Sequence, residues 1–160
     1  MLGLRRYKKL QIDIWQGDIS EFFVDASVRF DFSDHKSVRF FPGDDKERTN
    51  HICAFIPNQL ESPSVANKTM ENIYRQIFEC AESSQLRHIS IPGHPFAAAE
   101  IENNKLSIRA AMFALRNYLD VRNLPKLARV TFVARDGTMY DSLQKHLFAE
   151  FPDELDDQGF

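Results

Sequence analysis

Leu10, Ile12 and Ile14 alternate with Gln11 and Asp13, the two-residue period of a strand with one buried face. Gly17-Asp18 breaks that run, and Val24 to Val28 resumes it. The pattern predicts a strand over Leu10–Trp15, a Gly-Asp turn and a return strand within Phe22–Phe30. Asp31–Asp34 reads as a turn and Ser37–Phe41 as a further short strand. Pro42-Gly43, followed by five charged residues, is a loop signal. His51–Ile56 is a short apolar run stopped by Pro57 and reads as a buried strand. The period then changes. Val65, Ile73, Ile77 and Ala81 recur at helical spacing behind Ser64, a candidate N-cap, and predict a helix to about Ser83. Leu86–Ile91 alternates again up to Pro92-Gly93. A second helix is predicted over Asn103–Asp120, with Ile108, Ala111, Leu115 and Leu119 on one face. Leu127–Ala134 is the last predicted strand. Gly137–Ala149 is the last helix, with Tyr140, Leu143 and Leu147 inward. Met1–Lys9 reads as a short basic lead.

From His51 onward the order is strand, helix, strand, helix, strand, helix. Such alternation implies parallel strands with helices on both faces, a three-layer α/β sandwich. The chain has 160 residues, which suits one domain able to bury most of its apolar surface. No repeat, low-complexity segment or long linker divides it. The expected organisation is a single domain over 1–152 and an acidic tail over 153–160. Fourteen Phe residues predict a core rich in rings, with core packing the default for each and a ligand cleft the alternative for some.

The formal net charge of −3 argues against nucleic acid as a partner. The charge is uneven. Arg5, Arg6, Lys8 and Lys9 crowd the start, either as a solvated lead-in or as a contact for phosphates or a partner. Cys53 and Cys80 are the only cysteines. Their spacing suits neither a zinc site nor a disulfide framework, and both read as small buried hydrophobes in a reducing compartment. With no apolar run of membrane-spanning length and no leader, a cytoplasmic location is the expectation.

Chemistry enters at Asp18. A strand followed by Gly17-Asp18 places this carboxylate at a strand's carboxyl end, where open α/β sheets collect ligands. The structural alternative is a turn in which Gly17 supplies a positive φ and Asp18 hydrogen-bonds the backbone. No nucleophile elbow, dinucleotide fingerprint or phosphate-loop pattern is present. No two of the five histidines form a close metal-binding pair, and neither metal nor cofactor is expected.

Gly17-Asp18-Ile19-Ser20 followed by Val24-Asp25-Ala26-Ser27-Val28 resembles the opening of a macro domain. His51–Pro57, His88–Pro92 and Val130–Val133 with Tyr140 resemble that family's later strands in order, so the resemblance covers most of the chain. It implies a three-layer α/β/α sandwich with a mixed, mostly parallel sheet, and a site for ADP-ribose or a related nucleotide. Position by position, it implies that Asp18 accepts from the adenine amino group, a charge-assisted contact, with Ile19 beside it. Arg135 falls where the family stacks an aromatic on the base, and a guanidinium plane stacks similarly. Gly93 and His94 fall in the second phosphate loop.

The sugar and phosphate positions depart from the family. Its Asn-rich stretch is here Arg29-Phe30-Asp31-Phe32, and its glycine-rich loop retains one glycine, Gly43, between Ser33 and Arg48. The loop after Pro92 reads Gly93-His94-Pro95-Phe96-Ala97, and Pro95 has no N–H to offer. Arg29, Lys36, Arg39 and His94 are the basic residues able to meet a diphosphate through side chains. Asp31 is the one general-base candidate, and no catalytic role is assigned to it. The leading expectation is a nucleotide-binding module. The alternative is a degenerate domain, its cleft filled by Phe30, Phe32 or Phe96, that serves as a protein-interaction or structural unit. ADP-ribosyl hydrolysis comes third.

Overall fold

The structure is a computed structural model that describes residues 3–17, 24–33, 37–43, 49–57, 62–93, 95–96, 100–122 and 126–152. Its elements in chain order are β1 (Leu4–Tyr7), β2 (Leu10–Gln16), β3 (Ala26–Phe32), β4 (Ser37–Phe41), β5 (Asn50–Ile56), α1 (Pro63–Ser83), β6 (His88–Pro92), α2 (Ile101–Val121), β7 (Arg129–Ala134) and α3 (Gly137–Glu150). The strands form one seven-stranded sheet in the order β1-β2-β7-β6-β3-β5-β4. The five inner strands are parallel, and β1 and β4 close the edges antiparallel. This is the mixed, mostly parallel α/β architecture expected from the sequence.

Three local expectations are corrected. The basic lead contains a strand: β1 pairs with β2 through Tyr7↔Leu10, leaving Lys8 and Lys9 as a two-residue turn. Both lysines have positive φ, 47° and 71°, as a type I′ hairpin requires. The strand after Gly17 does not return beside β2. It runs parallel to it, with β7 and β6 between them, and it continues through Asp31 and Phe32, where a turn was expected. The first helix starts one residue before Ser64, with Ser62 at the cap position and Pro63 in the first turn, where its missing N–H costs nothing.

Alternation decides which side of the sheet is the core. Leu10, Ile12 and Ile14 of β2 lie level with Val130 and Phe132 of β7 and Ile89 and Ile91 of β6. These residues share one buried cluster with Val28, Ile52, Ile56 and the inward residues of all three helices. Among the described residues the helices therefore pack side by side on one face, where helices on both faces were expected: α1 lies against β4 and β5, α3 against β2 and β7, and α2 between them. On the opposite face the register aligns Asp13, Thr131, Ser90, Ser27 and His51 in a single row across five strands. The row is internally bonded. Thr131 donates to Asp13 at 2.7 Å, Arg129 pairs with the same carboxylate, His88 Nε2 lies 2.8 Å from Thr131 Oγ1, and Ser90 donates to Ser27 at 3.1 Å. Buried hydroxyls and a carboxylate are tolerated because they satisfy one another.

Asp25 anchors the start of β3. Its carboxylate accepts from the N–H groups of Arg87 and His88 at 2.8 and 3.0 Å, fixing β6 beside it. Cys53 and Cys80 are free and half-buried rather than buried, and burial pushes the Cys80 thiol upward.

Candidate functional site

The parallel strands deliver their carboxyl ends to one edge: Gln16 of β2, Ala134 of β7, Pro92 of β6, Phe32 of β3 and Ile56 of β5. The N-termini of the helices that follow β5, β6 and β7 reach the same edge. Gly17 has a φ of 94°, and its N–H donates to Ala134 O at 2.8 Å. The turn after β2 therefore begins against the end of β7, as the turn reading of Gly17 requires. Asp18, Ile19 and His94 lie outside the described residues, as does Lys36.

Gly93 follows β6 at this edge. Its N–H is donated to Val133 O at 2.9 Å, which extends the β6–β7 ladder. A Cβ there would lie 2.7 Å from Leu143 Cδ1 and 3.2 Å from Val133 O, so the position is glycine because α3 packs directly onto it. Arg135 follows β7, with its side chain 41% exposed and 3.8 Å from Asp136. Asp136 caps α3 by accepting from Met139 N at 2.9 Å, a contact worth about 1 kcal/mol. A cavity of about 270 Å³ opens beside Arg135 between the first turns of α2 and α3, lined also by Asn104, Lys105, Ile108, Asp136 and Ser142.

At the β3–β6 end of the edge two rings meet, Phe96 buried and Phe32 half-exposed. Phe96 is 3% exposed, and its ring lies 6.1 Å from that of Phe32. Its N–H donates to Asn104 Oδ1 at 3.1 Å, and its carbonyl accepts from Asn104 Nδ2 at 3.5 Å. Asn104 is itself buried in the first turns of α2. Phe30 is not at the cleft, since it packs edge-on against Tyr74 in the core. Arg29 and Arg39 flank Cys53 in register from either side, on the face away from the helices and short of the strand ends. Asp31 is exposed on that same face. The structure thus gathers Gly93 and Arg135 at one edge, keeps Arg29 and Arg39 short of it, and leaves Asp31 next to it on the face away from the helices. Asn104 and Lys105 were missed as edge residues. Their signal was positional: both lie in the opening turns of the helix that follows a strand's carboxyl end.

Among the described residues, no group of three or more His, Cys, Asp or Glu side chains is placed to hold a metal ion, and no described helix is long and apolar enough to cross a membrane.

No protein-family model matches the chain, and no curated protein sequence matches it. Solved structures do. A mutant macrodomain from Oceanobacillus iheyensis superposes with a TM-score of 0.75 at 14% identity, covering 91% of this chain and 95% of that one. The macro domain of ganglioside induced differentiation associated protein 2 gives 0.69 at 14% identity, covering 88% and 84%. The Trypanosoma brucei macrodomain in complex with ADP-ribose gives 0.62 at 13% identity, covering 84% and 68%. The protein is therefore an α/β protein of macrodomain fold. The likeness spans nearly the whole described chain, as the sequence resemblance implied.

Proposed function

We propose that this protein is a nucleotide-binding module whose ligand is ADP-ribose or a related nucleotide. The observation that carries the reading is the cavity at the carboxyl end of β7, with Arg135 on its wall, in a fold shared with the Trypanosoma brucei macrodomain solved in complex with ADP-ribose. In this reading Asp18 and Ile19 meet the adenine, Arg135 lies against the base, and the phosphates approach Gly93 and His94. The proposed setting is the cytoplasm, with the unit spanning 1–152. A second reading is supported by Phe96, which is buried against Phe32: the domain has lost nucleotide binding and serves as a protein-interaction unit. Hydrolysis ranks below both, because Asp31 stands on the sheet face away from the helices.

Calorimetric titration with ADP-ribose separates the two. Micromolar binding, about −8 kcal/mol, that weakens at least tenfold in Asp18→Ala supports the nucleotide module. No heat and no thermal shift at millimolar ligand would remove it and leave the interaction unit.

A further inference from the structure

We infer that the outer groove between α1 and α2 is the seat of a second copy of this chain, docked antiparallel about a two-fold axis beside Asn117. The groove runs along the middle and end of α2, away from the cavity at its opening turns, so the inference does not depend on the nucleotide reading.

The groove follows from the topology. α1 and α2 each join strands that run parallel, and they pack against each other on one face of the sheet, so they run side by side in one direction. Between them a cavity of about 610 Å³ opens to solvent. Its floor is Ala114 and the ring of Tyr118, both buried. The Tyr118 hydroxyl is already donated to Glu82, so a small polar ligand finds no free buried donor or acceptor on the floor, such as enclosed ligand sites provide. The charged and amide side chains stand on the rim, among them Glu71, Arg75 and Glu79 on the α1 wall. An apolar floor within a polar rim is the anatomy of a protein–protein contact.

The pattern along α2 selects the occupant. Phe113, Asn117 and Val121 recur every four residues on the α2 wall, a single ridge of the kind that packs into the groove of another helix pair, with about 6 Å between successive side chains. Phe113 is 40% and Val121 82% exposed, two large apolar groups left in water by the monomer. The ridge reads apolar, amide, apolar, and so reads the same in both directions. A two-fold axis beside Asn117 sets each Phe113 against the partner's Val121 and each Asn117 against the partner's Asn117, where two amides donate to and accept from each other. The ridge of each copy then lies over the groove of the other. The same reversal carries Arg122 to the opposite end of the facing groove, where the α1 wall holds the partner's Glu71. In that wall Arg75 and Glu79 are paired with each other at 3.1 Å, which leaves Glu71 as the carboxylate open to Arg122. The two charges, like the ridge, are self-complementary.

Sedimentation equilibrium of the full chain tests this. The wild type is expected to dimerise with a dissociation constant on the order of 10–100 μM, as a small reversible interface does. Val121→Asp is expected to weaken the dimer at least tenfold. Asn117→Lys and Asn117→Asp each place like charges together on the axis and are expected to weaken it at least tenfold as well. An equimolar mixture of those two variants pairs opposite charges there and is expected to dimerise at least as tightly as the wild type. All these side chains are exposed, so the variants should keep the wild-type melting temperature when measured as monomers. A wild type that stays monomeric at millimolar concentration overturns the inference and leaves the groove to a partner of another kind. A dimer that survives Val121→Asp forms through a different face and also overturns it. A mixture no tighter than either Asn117 variant alone overturns the two-fold register, and with it the inference.

Discussion

Gly93→Ala separates packing from ligand binding at a position the family resemblance assigns to phosphate. The added Cβ would stand 2.7 Å from Leu143 Cδ1, 3.3 Å from Leu143 Cγ and 3.2 Å from Val133 O. Neither neighbour yields easily. Leu143 is fully buried in the core, and the Val133 carbonyl is held in place by the Gly93 N–H itself. Overpacking at such a site costs about 1–3 kcal/mol. For a chain of this length each kcal/mol lowers the melting temperature by about 2–4 °C, so a fall of about 2–12 °C is expected. The cause is checked by a double-mutant cycle. Leu143→Ala alone costs about 2–5 kcal/mol, but in that background the alanine at 93 finds room, and its penalty shrinks toward zero. The coupling between contacting sites is then about 1–3 kcal/mol. Urea unfolding of the four proteins measures each term. An unchanged midpoint for Gly93→Ala, or a penalty that persists without the Leu143 side chain, would refute the packing argument.

Two further outcomes follow from the polar face and from α3. Asp13→Ala deprives both Arg129 and the fully buried Thr131 hydroxyl of their acceptor and is expected to cost about 1.5–3 kcal/mol, the range for hydrogen bonds to a charged group; a loss below about 0.5 kcal/mol in denaturant unfolding would mean the row contributes nothing. The half-buried His146 has its pKa lowered, first by burial and then by Lys145, Arg109 and Lys105. The unfolded chain therefore protonates first, and stability present above about pH 6.5 declines as pH falls toward the folded value. Thermal midpoints of His146→Gln should fall less steeply between pH 7 and pH 5 than those of the wild type, and identical slopes would contradict this assignment.

Much of the sheet was legible because its alternation is clean. Ser37–Phe41 was read with its observed bounds, and the three helices were read to within two residues at each end, since long amphipathic runs leave little choice of face. The hairpin of β1 and β2 was not legible. Its two-residue turn is built from lysines in a left-handed conformation where Asn-Gly is the usual signal, and the paired arginines of an edge strand look like a solvated lead. The relation between β2 and β3 was hidden for another reason. Turn residues mark where a strand ends but not which neighbour the next strand takes, and here β7 and β6, from much later in the chain, fill the gap. At the carboxyl edge, Arg135 and Gly93 were named through the resemblance. The Gly93 environment was not, because the close approach of Leu143 depends on how α3 settles. Asn104 was invisible since a polar residue in a helix's first turns has no sequence mark of the loop it will hold.

The place of β7 in the sheet has a bearing on how the protein is made. β1 and β2 are synthesised before the rest of the sheet, yet among the described residues the inner-sheet neighbour of β2 is β7, more than a hundred residues later. Until Arg129–Ala134 is synthesised, the hairpin has no strand to join, and Leu10, Ile12 and Ile14 have no core to enter. Pairing across so long a separation is slow, because the chain between must be ordered first. The β1 hairpin is then stitched directly to α3 and the residue after it. Gly3 donates to the Tyr140 hydroxyl at 3.0 Å, Arg5 donates to Phe151 O at 2.9 Å, and the Tyr7 ring meets Phe151 at 5.3 Å. A nascent chain stopped short of β7 therefore carries a hairpin without its parallel neighbour, its apolar face a natural target for a chaperone or a protease.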